Sequence, residues 1–192
     1  MNCKKSIDLL ILAAMMLACN RPQSETVVLA SDSGLVQMGR FLVYNNEKFS
    51  GDVIERFVSG QNKSVQHFEN GLLEGKSKSW FPSGATETER NYHNGEKEGL
   101  HRGWWPNGNL RFEYEFSKGL YNGTFKEWYE KGMPLNLFTY KNGEEVSAVG
   151  WRENGKTYIN FIVREGRKYG LTNARLCYSL KDEVGVYKTV KQ

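Results

Sequence analysis

Three pairs of a cation and a tryptophan recur at a fixed step: Lys78 with Trp80, Arg102 with Trp104, and Lys126 with Trp128, each pair 24 residues from the next. A spacing of two puts both members of a pair on one face of a β-strand. Stacked in successive units they would form a tryptophan column beside a basic column. Such a stripe, centred on Trp104 and Trp105, has the chemistry to accept anionic lipid, glycan or an acidic peptide, with cation–π contacts contributing on the order of 0.5–1 kcal/mol per exposed pair. The plainer alternative is that the tryptophans pack neighbouring units together while the cations cover their edges.

Other reactive side chains point away from catalysis. His67, His93 and His101 are the three histidines, and none stands at metal-ligand spacing or beside a cysteine pair. Glu87, Glu89, Glu113 and Glu115 alternate, which places them on one strand face as a solvating surface rather than as a glycosidase pair. No serine-nucleophile, phosphate-loop or dinucleotide motif occurs. Cys177 is the one thiol left after Cys3 and Cys19 are assigned to the N-terminus, and it reads as a small buried apolar residue. The expectation is a non-enzyme with no catalytic residue, no metal and no cofactor.

The elements that hold the stripe follow from the glycines. Gly51, Gly75, Gly99 and Gly123 are each 24 residues apart, as are Gly60, Gly84, Gly108 and Gly132, and as are Gly71, Gly95 and Gly119. Aromatics keep the same step at Phe57, Phe81, Trp105 and Tyr129, and at Phe68, Tyr92, Phe116 and Tyr140. A period of roughly 20–50 residues is one supersecondary unit stacked several times. In the unit from Asn94 to Phe116, a strand over about Leu100–Trp105 is followed by the turn Pro106-Asn107-Gly108. A second strand then alternates Leu110, Phe112, Tyr114 and Phe116 with polar residues. That is a β-hairpin with one buried face. The fold expected is all-β: repeated antiparallel hairpins of 24-residue period in an elongated, twisted meander, open or curled, with a helix confined to the N-terminal signal. The fifth copy is shortened, with Gly155 falling 23 residues after Gly132. Tyr158 to Val163 and Val184 to Val190 depart from the pattern, as capping units do.

These units resemble the variant MORN repeat, in particular bacterial proteins of the YwqK-like antitoxin family. The match is carried by Asn70/Gly71/Gly75, Asn94/Gly95/Gly99, the Trp-Phe-Pro-Ser-Gly at Trp80 to Gly84, and the Trp-Trp-Pro-Asn-Gly at Trp104 to Gly108. The resemblance implies a repeat sheet and, through the family label, neutralisation of a toxin. It says little more about function, because such repeats serve as scaffolds in unrelated settings.

At the N-terminus, Lys4 and Lys5 precede an apolar run from Leu9 to Leu17 that is too short to span a bilayer and reads as an export signal. Met16-Leu17-Ala18-Cys19 resembles the lipobox of bacterial lipoproteins, which implies acylation of Cys19 and loss of residues 1–18. Asn20 after the cysteine resembles the outer-membrane sorting signal of Gram-negative bacteria. Loss of Lys4, Lys5 and Asp8 lowers the formal charge from +4 to +3, a balance that identifies no nucleic-acid partner. The organisation expected is a signal over residues 1–18, a lipid-anchored cysteine and polar linker over 19–40 with Val27, Val28 and Leu29 able to form a short first strand, repeats over 41–170 with Phe41, Val43 and Tyr44 as a strand preceding the first copy, and a C-terminal capping segment over 171–192. The function expected is a lipid-anchored envelope scaffold for another envelope protein. Antitoxin-like immunity and binding of anionic lipid or glycan stand beside it.

Overall fold

The computed structural model describes residues 26–172 of the chain. The signal, Cys19, Asn20, Cys177 and the run from Val184 to Val190 lie outside these residues. Among the described residues the strands follow in order as β1 (Val27–Leu29), β2 (Leu35–Met38), β3 (Phe41–Tyr44), β4 (Glu47–Lys48), β5 (Gly51–Arg56), β6 (Asn62–Glu69), β7 (Leu72–Leu73), β8 (Gly75–Trp80) and β9 (Thr86–His93). They continue as β10 (Glu96–Lys97), β11 (Gly99–Trp104), β12 (Leu110–Ser117), β13 (Leu120–Trp128), β14 (Pro134–Lys141), β15 (Glu144–Trp151), β16 (Thr157–Arg164) and β17 (Arg167–Leu171). No helix occurs among the described residues.

The expected meander is present as an open sheet running β1-β5-β6-β8-β9-β11-β12-β13-β14-β15-β16-β17, with the short β7 and β10 paired to β6 and β9. Its geometry comes from two alternating turn chemistries. At one margin the two-residue turns need positive φ at both positions, met at Asn94 (φ 51°) and Gly95 (φ 79°), the Asn-Gly signature of a type I′ hairpin. At the other margin Trp105 N–H donates to the Asn109 carbonyl at 2.8 Å and Gly108 N–H to the Trp105 carbonyl at 2.8 Å. Gly108 sits there at φ 87° with open space around its α-carbon, so conformation alone demands glycine.

Neighbouring units are tied by a recurring double lock. Gly95 N–H donates to the Leu73 carbonyl at 2.8 Å while Asn94 N–H donates to the Glu74 carboxylate at 2.8 Å. One unit on, Gly119 N–H reaches the Lys97 carbonyl at 2.9 Å and Lys118 N–H the Glu98 carboxylate at 2.7 Å. These bonds satisfy the turn donors that a hairpin alone leaves to solvent. They explain why the residues before Gly51, Gly75, Gly99 and Gly123 are polar: Ser50, Glu74, Glu98 and Asn122.

The N-terminal part agrees with expectation in one strand and departs from it in the pairing. Val27–Leu29, inside the segment read as linker, forms the short strand anticipated there, but pairs parallel to β5, and Leu35–Met38 forms an unanticipated one. Phe41–Tyr44 does not precede β5 in the array but joins a separate three-stranded sheet, β2-β3-β4. That sheet is held to the array by Leu42 N–H donating to the Gly71 carbonyl at 2.8 Å and by Arg40 to the Asn94 carbonyl at 3.0 Å. Its Leu35, Leu42 and Tyr44 pack on Val28, Phe49, Val53 and Phe68, so the first hairpin is covered on its apolar side. At the other end, Tyr158 to Val163 lies in β16, which pairs with β15, with a register shift between Gly150 and Trp151, and with β17.

Candidate functional site

Alternation and register assign every central residue to one of two faces. On the first, cross-strand partners line up as Lys78↔Glu89, Glu89↔Arg102, Arg102↔Glu113 and Glu113↔Lys126, flanked by Val65 and Leu137. The three cations of the sequence stripe therefore share a row, but the row alternates in sign. Lys78 pairs with Glu89 at 2.7 Å, Arg102 with Glu113 at 3.0 Å and Lys126 with Glu113 at 3.3 Å. Burial alone would raise the Glu113 carboxyl, but hydrogen bonds from Arg102 and Lys126 outweigh it and hold its pKa below the usual value. The expected basic column is thus a charge ladder. The physical reason is that the alternating glutamates of each second strand fall opposite the cations in the hairpin register. Lys78–Glu89, the more exposed pair, is worth about 0.2–1 kcal/mol.

The tryptophans have structural duties. Trp80, Trp104 and Trp128 each end a strand at a register shift, paired with Thr86, Leu110 and Pro134. Trp105 donates its Nε1–H to the Trp128 carbonyl at 3.1 Å, and Tyr129 at the equivalent place donates its hydroxyl to the Trp151 carbonyl at 3.1 Å. Trp105 therefore latches one hairpin to the next, as the packing alternative anticipates.

The opposite face carries the interior. One position of each unit gives Val53, Ser77, His101, Phe125 and Ala148, all buried although no second layer among the described residues covers the array's centre. Rings close over one another instead. Phe125 lies 4.3 Å from Tyr114, 4.4 Å from Tyr121 and 4.9 Å from Tyr140, centroid to centroid, while His101 lies 4.6 Å from Phe116. Such ring pairs add about 0.5–1.5 kcal/mol beyond their area.

Over this aromatic ladder lies a cleft of about 460 Å³. Phe112, Tyr114 and Phe116 form its floor, Trp105, Trp128 and Leu135 its walls, and Arg90, Lys97 and Arg111 its rim. Lys97 stands 4.9 Å over the Phe116 ring and Arg111 5.6 Å over Trp105. Among the described residues Glu127 is the one carboxylate at the cleft and is occupied, accepting from the Tyr114 hydroxyl and from Asn136 at 2.7 Å. Burial raises the Tyr114 pKa and the bond to Glu127 raises it further, so the phenol stays protonated. Sequence reasoning missed the cleft. Its signal is the buried column, which polar Ser77 and His101 disguise.

His101 is 2 % exposed and hydrogen-bonds the Asn91 carbonyl through Nε2 at 2.7 Å. Burial lowers its pKa, and nearby Lys97 and Arg90 lower it further against the opposing hydrogen bond. Below about pH 6.5 the unfolded chain takes up a proton that the folded site refuses, so this group's contribution to stability falls as pH drops from there toward the folded pKa. Exposed His93 acts oppositely, its pKa raised by the hydrogen bond to Glu74. The expected result is that the urea midpoint of the native chain falls relative to that of His101→Phe between about pH 7.5 and 5.5, a comparison that isolates His101 from shared contributions. Parallel curves would contradict it.

Among the described residues no group of three or more His, Cys, Asp or Glu side chains is placed to hold a metal ion. Three segments of the chain, residues 73–94, 97–118 and 121–142, match the family model of the MORN repeat variant. They run from the end of β7 to the end of β14 and include every residue named at the cleft. No curated protein matches the chain.

Proposed function

We propose that the chain is a non-catalytic repeat scaffold that binds another protein of the cell envelope and is held at the membrane, the outer one by its sorting residue, through lipid on Cys19. The observation that carries the reading is the open cleft over the aromatic ladder, on the part of the sheet face beyond the first hairpin that the N-terminal sheet covers. Open repeat surfaces of this kind suit recognition rather than chemistry. The lipid anchor rests on Met16 to Cys19 and on the need for more than one acyl chain for lasting attachment. The antitoxin label fits less well with an export signal, because an intracellular toxin would be out of reach; immunity to an envelope-active toxin is its surviving form. Direct binding of anionic lipid or glycan loses its first support, since Lys78, Arg102 and Lys126 already face carboxylates.

The test is affinity capture from native envelope extract by the chain lacking residues 1–19. The expected result is one protein enriched near stoichiometrically, and lost with Leu135→Asp in the cleft wall when circular dichroism shows the sheet retained. No enriched protein, or loss with Lys78→Gln/Arg102→Gln/Lys126→Gln instead, would overturn the reading.

A further inference from the structure

The two faces treat their cations differently. Lys78, Arg102 and Lys126 on the charge-ladder face are ion-paired, whereas Arg90, Lys97 and Arg111 at the cleft make no ion pair among the described residues. Three unneutralised cations rim an aromatic floor whose only carboxylate, Glu127, is already engaged. We propose that the cleft receives an acidic segment of a partner protein, one that places an apolar side chain on the aromatic floor between carboxylates reaching the cations. This rests on the scaffold reading above and specifies its partner's chemistry.

Geometry favours a peptide over a simple polyanion. Arg90 lies on β9 and Arg111 on β12, two strand steps apart through β11, about 10 Å across the sheet, and the register, which sets Arg90 level with His101 and Tyr114, puts Arg111 three residues further along, so the two backbones are about 14 Å apart. An extended chain covers that distance in about four residues, so acidic side chains two places to either side of one apolar side chain match the span. Lys97, the third rim cation, on β10 beside β9, stands over the Phe116 ring. Glu127 adds the second criterion. It repels a ligand of uniform negative charge, but a peptide backbone brings N–H donors that its remaining lone pairs accept. The volume of about 460 Å³ admits a short segment rather than a folded surface. Arg111 already lies 5.2 Å from the Phe112 ring, so its guanidinium is held ready for a carboxylate rather than ordered on binding.

The experiment titrates the whole chain, in detergent, with a fluorescein-labelled peptide that carries a central phenylalanine between pairs of glutamates. Its twin has glutamines in their place. The expected result is saturable binding of the acidic peptide, weakened at least about tenfold in the twin and in Arg90→Gln/Lys97→Gln/Arg111→Gln, and unchanged in Lys78→Gln/Arg102→Gln/Lys126→Gln. Equal binding of the two peptides, no saturation at millimolar peptide, or indifference to the cleft substitutions would overturn it. So would cleft-dependent binding to phosphatidylglycerol vesicles with none to the peptide. A partner still captured through Leu135 while the peptides bind alike would sink the acidic-segment proposal and leave the scaffold reading standing. Circular dichroism and the retained charge-ladder control separate loss of binding from loss of fold.

Discussion

Phe125→Ala is expected to cost about 3 kcal/mol and to lower the melting temperature by roughly 10 °C, the range for truncating a buried phenylalanine. Phe125 is 6 % exposed and touches Tyr114, Tyr121, Phe116 and Tyr140, four rings drawn from three strands. In the central units, which no second layer covers among the described residues, these contacts are the core, so nothing behind them collapses into the space. Thermal unfolding followed by near-ultraviolet circular dichroism measures the loss. Tyr169→Ala provides the comparison, because Tyr169 is 51 % exposed on β17 and should change stability by no more than about 0.5 kcal/mol. Similar losses at the two sites would mean that the aromatic ladder is not the interior. Because repeat arrays unfold by units, the Phe125 variant should also broaden the transition.

A comparable loss is expected at Gly51, the point where β1 joins the array. Its φ is 142°, and an added Cβ would lie 2.1 Å from the Thr26 carbonyl oxygen, a backbone atom that cannot turn aside. Asp52 N–H donates to that same oxygen at 2.8 Å. Gly51→Ala must therefore strain the backbone or expel β1, for about 3 kcal/mol in total. Limited proteolysis distinguishes this from a general loss: cleavage near Val27–Leu29 should speed up while β11–β14 stay protected. Gly108→Ala, at a glycine with open space around it, should cost only about 1 kcal/mol. If the two substitutions behaved alike, the close approach of β1 to β5 would not be a stabilising contact.

Much of the array is legible in the amino-acid sequence alone. The glycine step sets hairpin boundaries to within a residue or two, since Asn-Gly at φ-positive positions admits few conformations, and alternation in Leu110 to Phe116 correctly marks the face that is buried. The pairing of the N-terminal strands is not legible, although Val27–Leu29 and Phe41–Tyr44 can be read as strands. Leu35–Met38 lies outside the repeat, and a parallel pairing of β1 with β5 leaves no turn signal between partners. The stripe cations share a row as expected, yet their role differs, because glutamates distant in sequence stand opposite them and neutralise them. Seeing Lys78, Glu89, Arg102, Glu113 and Lys126 as one row requires the cross-strand register, which depends on the shifts before Trp80 and Trp104. The cleft is hidden for a further reason. Arg90, Lys97 and Arg111 share no repeat position, and only the folded sheet brings them around one floor.

If the uncovered aromatic face, rather than the charge ladder, meets a protein partner, photo-crosslinking of the full-length chain in its native membrane reports it most directly. A photoreactive amino acid is placed at Leu135 in the cleft wall or, separately, at Asn160 on the opposite face. A single protein adduct is expected from the Leu135 site, absent from the Asn160 site and suppressed by the acidic peptide. Adducts from Asn160 alone, or lipid as the sole species at Leu135, would contradict a protein partner on the aromatic face.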